Sequence, residues 1–138
     1  MTRTNHTIPH TDKIPEIYCA LAAVFNNEAN TTQIINELSA AEISCIAVHQ
    51  PKAEPTTIFE VAVVRAEKLW SIDEALSKLF LQIDKSLIEL RGIVRKNKGQ
   101  ILVDIAFYQY GTYPTLYFGG DNMTKIHFLD ANISIDPF

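Results

Sequence analysis

Trp70-Ser71-Ile72-Asp73-Glu74-Ala75-Leu76-Ser77-Lys78-Leu79-Phe80-Leu81-Gln82-Ile83-Asp84-Lys85-Ser86-Leu87-Ile88-Glu89-Leu90-Arg91-Gly92 is the segment from which the rest of the chain can be ordered. Ser71 and Glu74 form a capping box: the Ser71 hydroxyl can accept from the Glu74 N–H while the carboxylate reaches back to the Ser71 N–H. Trp70, just before the cap, can staple over Ala75. Apolar residues at Ile72, Ala75, Leu76, Leu79, Phe80, Ile83, Leu87 and Leu90 then extend one helical stripe to Gly92, a natural stop. Asp84 and Ser86 stand where a second cap would divide the segment, so one helix or two remain open over residues 72–96.

Outward from this segment the pattern turns to strands. On the N-terminal side, Thr57 to Ala66 is rich in β-branched and aromatic residues, and Ile43 to His49 reads as its partner across a loop in which Pro51 and Pro55 forbid regular pairing. Before them, Asn30-Thr31-Thr32-Gln33 offers an N-cap to a helix of about three turns carrying Ile34, Ile35, Leu38 and Ala41. Ile14 to Phe25 fits a first strand, although Ala20, Ala22 and Ala23 would equally suit a helix. Residues 1–13 read as a flexible tail. On the C-terminal side, Asn97-Lys98-Gly99 turns the chain into a strand in which Ile101, Val103, Ile105 and Phe107 alternate with Leu102, Asp104, Ala106 and Tyr108. A brief strand, Leu116-Tyr117-Phe118, follows. A short helix then begins at Gly119-Gly120-Asp121-Asn122, with Met123, Ile126, His127 and Leu129 placed to cover a sheet. Ile133 to Phe138 reads as a last strand. The order predicts an α+β fold, a ferredoxin-like antiparallel sheet with helices on one face and a C-terminal strand–helix–strand extension, as a single domain over residues 14–138.

Composition narrows the function classes. At 138 residues, 47% apolar and 20% charged, the chain can bury a core without metal or disulfide staples. No apolar run approaches the ~20 residues of a bilayer span and the N-terminus leads into no apolar signal segment, so a cytoplasmic protein without a membrane partner is expected. The net charge of −4 is unevenly placed. Residues 1–67 carry 8 acids and 4 bases, residues 68–98 carry 4 acids and 7 bases, and residues 99–138 carry 4 acids and 1 base. The basic cluster Arg91, Arg95, Lys96 and Lys98 suits the C-terminal end of a helix, and the acidic chain as a whole argues against a nucleic-acid partner.

Motifs for chemistry are sparse. Cys19 and Cys45 lie in apolar runs and read as buried free thiols, since no CxxC pair occurs. His6 and His10 flank Pro9, which opposes the helix that would bring them together. His49 and His127 stand apart, so no metal or other cofactor is expected. Walker, GxGxxG and GxSxG patterns are missing. Asp104, Asp121, Asp130 and Asp136 could meet as a carboxylate cluster, but solvated edge and cap positions account for them more simply. No catalytic residue is assigned. The aromatic run Phe107, Tyr108, Tyr110, Tyr113, Tyr117 and Phe118 can brace a hairpin, or, beside acids, can bind a protein. The partner-binding candidates are Asp104, Tyr108, Tyr110, Tyr113 and Asp121.

Residues 70–138 resemble the bacterial family catalogued as domain of unknown function 4279. The likeness lies in a Trp ahead of a helix, as in Trp70-Ser71-Ile72-Asp73-Glu74-Ala75-Leu76, then a strand, a short Leu-x-Phe-like strand, and a terminal helix leading to Ile133-Ser134-Ile135-Asp136. Pro137 separates that Asp from the aromatic Phe138, and the N-terminal half matches only in the order of its elements. The resemblance implies a small bacterial protein of the kind found near secreted toxins, where acidic single-domain proteins act as immunity partners. The expectation is therefore a non-enzymatic immunity protein that occludes a basic toxin domain, typically a nuclease, of a contact-dependent or polymorphic toxin system. A small ligand-binding or regulatory module is the alternative, with an enzyme built on the Asp cluster third.

Overall fold

A computed structural model describes residues 14–108 and 112–137. The predicted tail 1–13, with His6 and His10, lies outside the described residues, as does Tyr110. Five strands and four helices follow one another as β1 (Glu16–Asn26), α1 (Thr31–Ala40), β2 (Ala47–His49), β3 (Thr56–Lys68), α2 (Ile72–Leu81), α3 (Leu87–Lys96), β4 (Gln100–Tyr108), α4 (Gly120–Leu129) and β5 (Asn132–Pro137). The fold is α+β, with one mixed sheet in the order β2-β3-β1-β4-β5. Three pairings are antiparallel, and β4 with β5 is parallel.

Strand alternation decides where the core lies. On β1 the residues Ile17, Cys19, Leu21, Ala23 and Phe25 are buried, and on β4 Ile101, Val103, Ile105 and Phe107. They form one apolar cluster with Ile34 and Leu38 of α1, Ile72, Ala75, Leu76, Leu79 and Phe80 of α2, Leu90 and Val94 of α3, and Ile126 and Leu129 of α4. Inside it the Phe25 and Phe59 rings meet edge-on, 5.6 Å between centroids. Two register shifts between β1 and β3 set the phase of the strands, one between Ile17 and Cys19 and one between Leu21 and Ala22.

The segment 70–96 is two helices, joined by a 3-10 turn at Asp84–Ser86. The Ser71 hydroxyl accepts from the Glu74 N–H at 3.3 Å, the expected N-cap. Neither Asp84 nor Ser86 caps a helix with its side chain. The Ser86 hydroxyl instead donates to the Ala41 carbonyl at 3.2 Å, tying the turn to the end of α1. Gly92 does not stop a helix; it lies inside α3, which continues to Lys96. The N-cap of α1 is Asn30, whose side chain accepts from the Gln33 N–H at 3.0 Å, while the Gln33 amide turns to Glu37.

Three further expectations need correction. Only Ala47–His49 of the predicted strand 43–49 is paired as a strand. The chain leaves α1 through Glu42 at φ 61°, and Ile43 is spent burying itself in the core beside Leu38. Leu116-Tyr117-Phe118 forms no strand: the segment makes a single bridge, Thr115 with Ser71, and Leu116 and Tyr117 stay exposed. On α4 the buried residues are Asn122, Ile126 and Leu129, so Met123 and His127 do not cover the sheet. Asn122 is buried because its amide donates to the Asp73 carbonyl, the Asp73 carboxylate and the Ser77 hydroxyl at 2.8–3.1 Å, locking α4 to the start of α2.

Candidate functional site

The face of the sheet that carries Asp104 is the other side of the strands that build the core. Its rows follow from the pairing. Ala20 of β1 stands between Val63 of β3 and Asp104 of β4, and Asp104 in turn faces Ser134 of β5. One row on, Ala22 stands between Glu60 and Leu102, and on the opposite side Tyr18 faces Ala106. Alanines on the middle strand leave a shallow groove of about 160 Å³, lined by Tyr18, Ala20, Glu60, Val63, Arg65, Asp104 and Ala106. Tyr18 and Tyr108 close one end with an edge-on ring contact, 6.5 Å between centroids.

Electrostatics make this face acidic. Partial burial among the strands pushes the Asp104 carboxyl up, the Asp136 and Glu60 carboxylates push it further, and a hydrogen bond from Ser134 opposes them. Ser134 also lies 3.2 Å from an Asp136 oxygen, so one hydroxyl stands between two acids. Glu60 meets the imidazole of His49 at 3.4 Å. Nothing in this arrangement resembles a nucleophile with a base. Among the described residues no three or more His, Cys, Asp or Glu side chains are placed to hold a metal ion.

The predicted partner-binding residues separate into two places. Asp104 and Tyr108 share the groove face. Tyr113 instead packs edge-on against Phe107, 5.9 Å between centroids, and Phe107 belongs to the core side. Asp121 is exposed in the first turn of α4. The four-Asp cluster does not form: Asp104 and Asp136 are neighbours, while Asp121 and Asp130 sit at opposite ends of α4. Glu60, Tyr18 and Arg65 were not singled out from sequence. Alternation with the buried Phe59 and Val61 would have put Glu60 on the outer face, but only strand order brings it beside Asp104.

The cysteines stay out of the chemistry. Cys19 is buried, its thiol bonded to the Ala75 carbonyl at 3.7 Å, and burial pushes its pKa up to about 12. Cys45 is half-buried with its pKa raised by the same cause, and its thiol points to the Ala47 carbonyl rather than to His49. Set against family models, curated proteins and solved structures, the chain matches none. Function has to be argued from the geometry of the groove face.

Proposed function

We propose that this protein is an immunity-type inhibitor that uses the groove face to occlude a basic toxin domain. The observation that carries the reading is the set Glu60, Asp104 and Asp136 on one face, beside the Tyr18–Tyr108 pair. Tyrosines give contact area at low entropic cost, and acids whose mutual repulsion is relieved by an incoming cation favour a basic partner. The strand order β4-β1-β3-β2 supports the finer fold reading, a ferredoxin-like sandwich lengthened by α4 and β5. The family resemblance of residues 70–138 points the same way but is not what carries the proposal. The pairing is tested by co-purification with the product of the neighbouring open reading frame. A basic toxin domain that is captured, and released by Asp104→Lys, supports the reading. Failure to capture any such product would sink it.

A second reading, a small-ligand module, is favoured by one concavity of about 490 Å³ between residues 42–46 and 81–86. Ile43, Ile46, Val61, Leu81 and Ile83 supply its apolar wall, within the size range of ligand pockets. The groove at Asp104 is below that range, as expected for a protein-binding face rather than a pocket. A thermal-shift screen of small metabolites separates the two readings.

A further inference from the structure

The two edges of the sheet are finished differently. On the β3 edge, β2 covers only three residues. Beyond it the Gln82 side chain acts as a surrogate strand: its amide donates to the Val63 carbonyl at 2.7 Å, and its oxygen accepts from the Val63 N–H at 3.1 Å. Ala66 at φ 53° then bends the strand between the charged residues Arg65 and Lys68. Short strands, covers, bulges and charges are the usual defences of an edge.

Among the described residues β5 keeps only a charge, Asp136, and a proline, Pro137, both at its C-terminal end. Its register with β4 is unbroken from Asn132 to Pro137, it carries no Lys or Arg, and its proline comes last. Ile133 and Ile135 lie beside Val103 and Ile105, on the core side of the sheet, yet each is 37% exposed. Above them runs α4. Its Lys125 reaches Asp84 at 2.9 Å, Phe128 lies under Arg91, and Asn122, Ile126 and Leu129 are buried. Helical spacing leaves Met123 and His127 on the opposite flank of α4, and both are exposed.

We propose that β5 is a self-pairing edge, through which two copies of the chain join antiparallel about a two-fold axis at Ser134. The sequence around that residue is complementary to itself. Centred there, Ile133 lies opposite the partner's Ile135, and Asn132 lies opposite the partner's Asp136, an amide donor against a carboxylate. The two Asp136 carboxylates do not meet, and Pro137 falls outside the pairing. Centring on either isoleucine instead would set that residue against itself and leave the other near the end of a shorter ladder. Five paired residues fall short of the ~1,200 Å² of a stable interface, so the dimer is a weak one that forms as the chain concentration rises.

Sedimentation velocity of the full chain tests this. The expected species has twice the 15.5 kDa mass of one chain. Raising the salt strengthens the association, because each copy carries a net −4. Ile133→Lys with Ile135→Lys weakens it by at least about tenfold, the effect of burying an uncompensated charge at a pairing edge, while Gln82→Ala at the other edge leaves it unchanged. Ser134→Cys, on an otherwise native chain, cross-links to itself when oxidised glutathione takes up the two electrons and two protons of the paired thiols. That readout decides the matter should the double lysine variant fail to fold. A chain that is monomeric throughout, a dimer that survives both lysines, or a Ser134→Cys dimer that does not cross-link would each overturn the proposal. So would a monomer that takes up another protein's strand at β5.

Discussion

Glu42, Lys98 and Asp130 each hold a left-handed backbone conformation, at φ 61°, 59° and 52°, where glycine is the usual occupant. Each ends a helix in the same way. The N–H of the following residue reaches back five positions, Ile43 to Leu38, Gly99 to Val94 and Ala131 to Ile126, at 2.8–3.1 Å. The left-handed residue itself donates to the carbonyl three positions before it, so carbonyls at the helix end are satisfied as in a Schellman motif. A side chain in this region strains the backbone by roughly 1 kcal/mol. Glu42→Gly and Lys98→Gly are therefore each expected to stabilise the fold by ~0.5 kcal/mol, after the greater freedom of glycine in the unfolded chain is subtracted. Urea titrations read this as a raised midpoint at unchanged slope; a lowered midpoint for both would show that these side chains make contacts that outweigh the strain.

At the scale of elements, the two glycines Gly92 and Gly99 should respond to alanine with opposite sign. A Cβ at Gly92 meets nothing within 4 Å, and the residue is interior to α3, so Gly92→Ala should stabilise by ~0.5–1 kcal/mol. At Gly99 the added Cβ would lie 2.5 Å from the Phe25 ring and 2.8 Å from the Val24 carbonyl, in the core, so Gly99→Ala should lower the melting temperature. Thermal melts of the two variants check both signs. Glu37 ties α1 to the end of α3. Lys96 donates to it at 2.9 Å and Asn97 at 3.0 Å, and these bonds with that of Gln33 hold its pKa down to about 2. A carboxyl lowered on folding contributes stability above its unfolded value near 4.5 and loses it as the pH falls toward 2. Glu37→Gln should thus be less stable than wild type at neutral pH, with the gap closing over that window in acid titrations followed by circular dichroism. These same elements show what a sequence discloses. β3, β4 and the start of α2 were legible because alternation and a capping serine are local signals, whereas the alanines of β1 left its strand open to a helix. The ends of α1 and α4 were not legible, since Glu42 and Asp130 stand where glycine would have marked them; α3 ends at the turn Asn97-Lys98-Gly99, which was legible, and runs through Gly92, the glycine that looked like a stop. The groove was half legible: Asp104 and Tyr108 alternate visibly, but Glu60 and Tyr18 join them only through strand order.

For the whole molecule, the acidity found in composition acquires a location. Part of the net −4 is gathered where Glu60, Asp104 and Asp136 share a face, with Asp104 kept in surroundings that disfavour its charge. A carboxyl raised on folding favours the folded state only below its unfolded pKa, and that contribution is lost as the pH rises through the folded value. At neutral pH, then, the charged Asp104 works against the fold, and Asp104→Asn should raise the melting temperature. Below the unfolded value of 3.8 the variant and wild type should melt alike. If the face exists to meet a basic partner, the same substitution should slow association and weaken its dependence on salt, since steering by opposite charges acts over a screening length of ~10 Å at 0.1 M. A gain in stability joined to a loss of binding is the mark of an acid kept for function rather than for folding. Melting curves at several pH values, together with association rates for the captured partner at low and high salt, measure both halves. Asp104→Asn that stabilises but binds at the wild-type rate would take this residue out of the interface.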